Sequence, residues 1–102
     1  MVGCPFCPLE RKTRWFRNHP DGVVVCEDLD PTHYSLRLLA VGSGKHWHRP
    51  REQYSQDEID RLVREATEVA GELIRNDEAK GIAGIDYEVS VMNHYHIQVC
   101  LL

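Results

Sequence analysis

The sequence lacks a long apolar run and an excess of positive charge. None of its apolar stretches approaches the roughly 20 residues of a membrane span, and its first residues lack the apolar stretch of a secretory signal. Lysine and arginine number 12 against 16 aspartates and glutamates, a formal net charge of −4. This balance argues against a protein that neutralises nucleic-acid phosphates in bulk. We therefore expect a cytoplasmic protein that binds neither membranes nor nucleic acid.

Internal repeats, low-complexity tracts and linker-like segments are missing as well. The chain of 102 residues is 42% apolar and 27% charged, a composition that supports a buried core. We therefore expect residues 1–102 to form a single domain.

The hydrophobic pattern predicts five strands and one long helix. Ser55 and Glu58 match a capping box, which predicts the start of a helix of about five turns. The segment 81–86 is predicted to be a loop. The predicted strands cover residues 12–17, 23–26, 36–41, 87–92 and 94–102. Apolar residues recur at helical spacing as Ile59, Leu62, Val63, Ala66, Val69, Ala70, Leu73 and Ile74, and the opposite, charged face is expected to be solvated. This order predicts an α+β fold, an antiparallel sheet with one long helix packed on it.

The chain is rich in metal-binding side chains, with four cysteines and six histidines. Cys4 and Cys7 are separated by two residues, a spacing that allows both sulfurs to bind one tetrahedral metal ion. A redox dithiol normally follows a strand and opens a helix, which this segment does not, so we favour the metal interpretation. Cys26 and Cys100 lie in apolar runs and are expected to be small buried residues. A disulfide framework is disfavoured because cytosolic thiols stay reduced.

The last predicted strand alternates two kinds of side chain. His94, His96, Gln98 and Cys100 share one face, and the apolar residues between them share the other, which is expected to face the core. A neutral imidazole can attack phosphorus and form a covalent intermediate, and a carboxamide can donate to a phosphoryl oxygen. The pattern therefore predicts His96 as a nucleophile and Gln98 as a hydrogen-bond donor.

Residues 93–100, Asn-His-Tyr-His-Ile-Gln-Val-Cys, resemble the histidine triad (HIT) motif. Gln98 replaces the third histidine, as in the galactose-1-phosphate uridylyltransferase branch of that superfamily. The resemblance implies a HIT-like fold, a homodimer, and a nucleotidyl transferase or hydrolase. Such an enzyme acts on nucleoside 5′-phosphate derivatives through a covalent nucleotidyl-histidine intermediate, here on His96. The alternative is a zinc-stabilised nucleotide-binding module without turnover.

The same resemblance implies a structural zinc ion. Its ligands would be Cys4, Cys7, His94 and one histidine from the pair His46 and His48. Family spacing slightly favours His46, while His48 fits the approach to the helix equally well. Two thiolates and two imidazoles are a ligand set that suits zinc.

The resemblance also implies three residues that bind substrate. Asp28 and Leu29 resemble the acidic segment that lies near the nucleotide ribose in histidine triad hydrolases, and Asn93 begins the motif itself. A different resemblance, of His46, His48 and Glu52 to part of the first cupin motif, implies an all-β metalloenzyme. The long helix predicted directly after Glu52 argues against it.

Overall fold

The computed structural model describes residues 4–28 and 36–102, which form five strands and one α-helix. The elements are β1 (Trp15–Asn18), β2 (Val23–Glu27), β3 (Leu36–Gly42), α1 (Gln56–Arg75), β4 (Ile82–Val91) and β5 (His94–Leu101), with short 3-10 turns at Lys45–Trp47 and Arg51–Gln53. The sheet is antiparallel in the order β1-β2-β3-β5-β4. The predicted α+β fold, one helix packed on an antiparallel sheet, is confirmed.

Helix α1 begins where the capping box predicts. The Ser55 side chain accepts a hydrogen bond from the backbone N–H of Glu58 (3.1 Å), and the Glu58 carboxylate accepts one from the backbone N–H of Ser55 (2.9 Å). These bonds satisfy N–H groups that have no partner within the helix. The apolar stripe lies against β2, β3 and β5, and its members Leu62, Ala66, Val69, Ala70 and Leu73 are buried.

The two faces of the sheet carry different groups. On the helix side, β5 contributes Tyr95, Ile97, Val99 and Leu101 to the main core. On the other side lies a smaller buried cluster of Phe6, Val24, Cys26, Leu39 and Val41. His96 pairs with Val41 and Gln98 pairs with Leu39 in the β3–β5 register, so both belong to this second side. The predicted division of β5 into a core face and a polar face is confirmed.

One charged side chain of α1, which was predicted to be solvated, is buried. Glu65 is only 7% exposed, and its carboxylate lies 2.6 Å from His19 Nε2. Asp21 forms a second ion pair with Arg61 of α1, and Arg17 forms a third with Glu72. The β1–β2 hairpin therefore covers this flank of α1, a tertiary contact that helical periodicity does not reveal.

Two predicted strand boundaries are wrong. Strand β1 begins at Trp15 rather than at residue 12, and β4 begins at Ile82, so the predicted loop at 81–86 is mostly strand. Strand β4 is an edge strand held by backbone pairing along β5, from Ile82 opposite Leu101 to Val91 opposite His94. Its side chains are mostly exposed, so it carries little hydrophobic signal. Within residues 4–28 and 36–102, no helix has the length and apolar composition that crossing a membrane requires.

Candidate functional site

Four side chains that could hold one metal ion meet at the start of β5. The ligand atoms of Cys4, Cys7, His48 and His94 all lie within 4.8 Å of one another. His94 Nδ1 is 3.1 Å from Cys4 Sγ and 3.3 Å from Cys7 Sγ, and His48 Nδ1 is 3.5 Å from Cys7 Sγ. All four cysteines of the chain are free thiols, so neither sulfur is used in a disulfide.

Both thiols are brought to this cluster by an N-terminal arm, residues 4–13, that crosses the sheet face opposite α1. Phe6, between the two cysteines, is 7% exposed, and its ring lies edge-on to His94 and His96 with centroids 5.2 and 5.1 Å apart. The Phe6 carbonyl accepts a hydrogen bond from the Gly44 N–H at 2.7 Å. The buried Phe6 ring and the Gly44–Phe6 hydrogen bond therefore hold the segment that carries both thiols against the sheet.

The cluster contains His48 and not His46, which corrects the slight preference for His46. Trp47, between them, is 5% exposed, and its indole N–H donates to the Asp21 carbonyl at 2.8 Å. Tyr54 donates to the Trp47 carbonyl at 2.6 Å. With Trp47 anchored in the core, the ring of His48 stacks on His94 with a centroid distance of 5.3 Å. His46 is exposed outside the cluster and contacts the edge of Trp47.

The two histidines of the cluster present the same ring nitrogen to the thiols. His94 Nε2 lies 2.6 Å from the Gly42 carbonyl, and His48 Nε2 lies 2.7 Å from the Met92 carbonyl. Because a carbonyl only accepts, each Nε2 carries the proton and each Nδ1 keeps its lone pair. This arrangement, with the second nitrogen held by a backbone carbonyl, is typical of metal-binding histidines.

Burial shifts the pKa values of the groups in the cluster. It lowers the pKa of His94, and the neighbouring imidazoles of His48 and His96 lower it further. Burial, together with the adjacent Cys4 thiol, raises the pKa of Cys7 to about 11. Metal binding requires the thiolate and neutral imidazole, so a bound cation would lower the pKa of the thiols.

His96 is next to the metal cluster and in the wall of a cavity. The cavity has a volume of about 520 Å³ and lies between the N-terminal arm and the sheet, with His96, Gln98 and Asp28 in its wall. His96 is 1% exposed, and its Nδ1 lies 3.3 Å from the His94 carbonyl. Nδ1 is therefore the protonated nitrogen, and Nε2 has the lone pair. Burial lowers the pKa of His96 and favours the neutral ring.

The carboxamide of Gln98 is held at both ends by charged groups. Its Oε1 accepts from Arg37 at 2.7 Å, and its Nε2 donates to Asp28 Oδ2 at 3.1 Å. The Arg37 guanidinium is also 3.6 Å from Asp28 Oδ2, and the two side chains are 16% and 12% exposed. The polar face of β5 is therefore tied to β3 and to the end of β2.

Three residues remain that were predicted to bind substrate: Asp28, Leu29 and Asn93. Asp28 lies in the cavity wall, and its predicted contact with substrate stays a prediction. Asn93 is exposed in the β4–β5 turn with φ of 61°, a left-handed conformation that asparagine tolerates well. Leu29 lies outside the described residues. Its predicted contact with substrate stays a prediction, as does that of Asn93.

Two residues of the site were not predicted. Arg37 is a lone charge in an apolar strand, a signal that indicates a partner on the adjacent strand. Phe6 is the apolar residue between the two cysteines, and nothing in the sequence pattern shows which surface it covers.

Comparison of the chain with protein-family models, curated proteins and solved structures finds no match.

Proposed function

We propose that the protein transfers a nucleotidyl group through a covalent adduct on His96. The observation that carries this proposal is the position of His96 and Gln98, two residues apart on one face of β5 and both in the wall of one cavity. The hydrogen bond of His96 Nδ1 to the His94 carbonyl supports a nucleophilic role for Nε2. The resemblance of residues 93–100 to the histidine triad motif supports the same reaction class.

The chemistry requires two displacements at one phosphorus. His96 Nε2 would attack the 5′-phosphoryl group, forming an N–P bond as the P–O bond to the leaving group breaks and the leaving group takes the electron pair. Water or a phosphate-type acceptor would then attack phosphorus, and the N–P bond pair would return to the imidazole. Gln98 donates a hydrogen bond to a phosphoryl oxygen in both steps but has no acidic proton. A leaving group that departs as a stable anion, such as a phosphate, suits this arrangement.

We propose zinc as the metal of the Cys4, Cys7, His48 and His94 cluster. Zinc–sulfur bonds of about 2.3 Å and zinc–nitrogen bonds of about 2.0–2.1 Å place tetrahedral sulfur and nitrogen ligands about 3.6 Å apart. Three of the four sulfur–nitrogen distances, at 3.1, 3.3 and 3.5 Å, are close to that separation. With four protein ligands the site is closed, so zinc would hold the arm to β5 and take no part in the displacement.

Elemental analysis of two variants tests the metal proposal. We expect one zinc per wild-type chain, because the four ligands come from one chain. His48→Ala should lose zinc, while the matched variant His46→Ala should keep it because His46 lies outside the cluster. Loss of zinc from both variants, or from neither, would contradict the assignment.

A labelling experiment tests the catalytic proposal. Wild-type protein incubated with nucleotide sugars or dinucleoside polyphosphates, whose leaving groups are phosphates, should form an acid-labile nucleotidyl adduct, and His96→Ala should form none. Gln98→Glu should label more slowly because it loses the amide donor. The proposal fails if wild type and His96→Ala label alike.

A binding module without turnover is the second candidate, and one observation favours it. His96 is 1% exposed and lies edge-on to the ring of Phe6. A module would bind zinc and nucleotide but form no adduct and release no nucleoside monophosphate. Nucleotide binding without labelling would therefore favour this candidate over the enzyme.

A further inference from the structure

Only one of the two orientations of the Gln98 carboxamide fits its surroundings. The guanidinium of Arg37 can only donate hydrogen bonds, and the carboxylate of Asp28 accepts them. The observed contacts match these roles, with Gln98 Oε1 on Arg37 at 2.7 Å and Gln98 Nε2 on Asp28 at 3.1 Å. Rotating the amide by half a turn would set N–H against N–H and oxygen against oxygen. Both contacts would then be lost together.

The low exposure of the two charged groups makes this constraint strong. The Arg37 and Asp28 side chains are 16% and 12% exposed, so water screens their charges less than it would at the surface. Arg37 also lies on β3, the central strand of the sheet, where the backbone pairing with β5 fixes its distance from Gln98. The Arg37 side chain is therefore anchored on a rigid strand.

The orientation of Gln98 matters for the proposed reaction because only its NH2 end can stabilise a phosphoryl oxygen. That group carries two hydrogens, and Asp28 accepts one of them. The second is the hydrogen that a phosphoryl oxygen in the cavity would accept. An amide turned the other way would present its oxygen to the phosphoryl group and repel it.

We propose that Arg37 is a positioning residue that fixes the orientation of the Gln98 carboxamide, with its NH2 end toward Asp28 and the cavity. This inference rests on the proposed nucleotidyl transfer for its catalytic consequence. The orientation itself does not depend on the reaction. Arg37 acts through Gln98 and needs no contact with the transferred group.

An NMR measurement tests the orientation without any substrate. The side-chain NH2 signals of Gln98 are identified by their loss in Gln98→Met. In Arg37→Met these signals should shift, and their protons should exchange faster with water, because the amide is no longer held from its oxygen end. Arg37→Lys keeps a donor and should give an intermediate spectrum. Unchanged Gln98 signals in Arg37→Met would overturn the inference.

The rate of adduct formation on His96 tests the catalytic consequence. Arg37→Met should slow this step about 10- to 100-fold, a loss comparable with misplacing or removing one donor, and Arg37→Lys should recover part of it. The matched control Arg64→Met removes an exposed arginine of α1 and should label like wild type. Circular dichroism checks that each variant is folded.

The possible failures can be told apart. If wild type forms no adduct with any nucleotide, the proposed function fails, and the NMR result still decides whether Arg37 orients Gln98. If wild type forms the adduct and Arg37→Met forms it at the same rate, the positioning role is wrong while the proposed function stands. A rate loss that Arg64→Met shares would also overturn the role of Arg37.

Discussion

Replacing Phe6 by alanine tests whether the N-terminal arm and the metal cluster form one unit. Phe6 is 7% exposed and lies edge-on to His94 and His96. It stands between Cys4 and Cys7, so its docking brings both thiols to His94. We expect Phe6→Ala to weaken metal binding although alanine removes no ligand.

The size of the effect follows from the burial of the ring. Burying a phenylalanine side chain contributes about 1.5–3 kcal/mol relative to leaving it exposed. A metal ion bound by both thiols needs the docked arm, so its apparent affinity falls with the fraction of molecules in which the arm is docked. A loss of about 1.5–3 kcal/mol in the free energy of arm docking limits the increase in the metal Kd to about 10-fold at the lower value and about 150-fold at the upper value.

The assay is a zinc titration against a competing chelator, and Phe16 provides the matched control. Phe16 is the only other phenylalanine and packs on the helix side of the sheet. Phe16→Ala should lower the free energy of unfolding in urea but leave the metal Kd within about twofold, because distant sites act independently. Zinc binding by Phe6→Ala as tight as that of wild type, or equal weakening by Phe16→Ala, would contradict a link between docking of the arm and metal affinity.

Two further predictions concern stability. Gly42→Ala should lower the free energy of unfolding by about 1–3 kcal/mol, because the added Cβ would collide with the ring of Trp47. Urea denaturation measures this loss, with Gly71→Ala on α1 as the control. A Cβ has room at Gly71 and alanine is the better helix former, so this variant should lose no stability. Equal losses of stability in the two variants would contradict the prediction. The hydrogen bond from Arg49 lowers the pKa of Glu58 from 4.5 to about 2. The ionised carboxylate therefore contributes its full stability above pH 4.5, and this contribution is lost as the pH falls toward about 2. Between about pH 6 and pH 3 the free energy of unfolding of Glu58→Gln should fall about 1 kcal/mol less than that of wild type, and equal losses would argue against this assignment.

Local patterns were enough to predict the parts of the fold that depend on neighbours in sequence. The capping box placed the start of α1 at Ser55, and alternation along β5 separated Tyr95 and Ile97 from His96 and Gln98. The capping box follows from the free backbone N–H groups at the start of a helix, and the alternation from the two-residue period of a strand. The Cys-x-x-Cys spacing and the resemblance to the histidine triad motif named three members of the cluster, Cys4, Cys7 and His94, and left the fourth open.

The choice between His46 and His48 was beyond the sequence because it depends on side-chain direction in an irregular segment. The burial of Trp47 decides which neighbour faces His94, and that burial is a tertiary contact. The role of Arg37 has the same origin, since its partner Gln98 is 61 residues away along the chain. Strand β4 was predicted too short because an edge strand is held by backbone hydrogen bonds, which hydrophobic periodicity does not report.

The register of β5 against β3 has a consequence for folding. Val41 lies opposite His96, and Leu39 lies opposite Gln98. A slip of one residue would turn every side chain of β5 to the other side of the sheet, placing imidazoles under α1 and Ile97 in the cavity. Such a misaligned chain would lose its main core and its ligand set together. Metal uptake in a refolding experiment would therefore report correct strand alignment, and a misfolded chain would be recognisable by its failure to take up the ion.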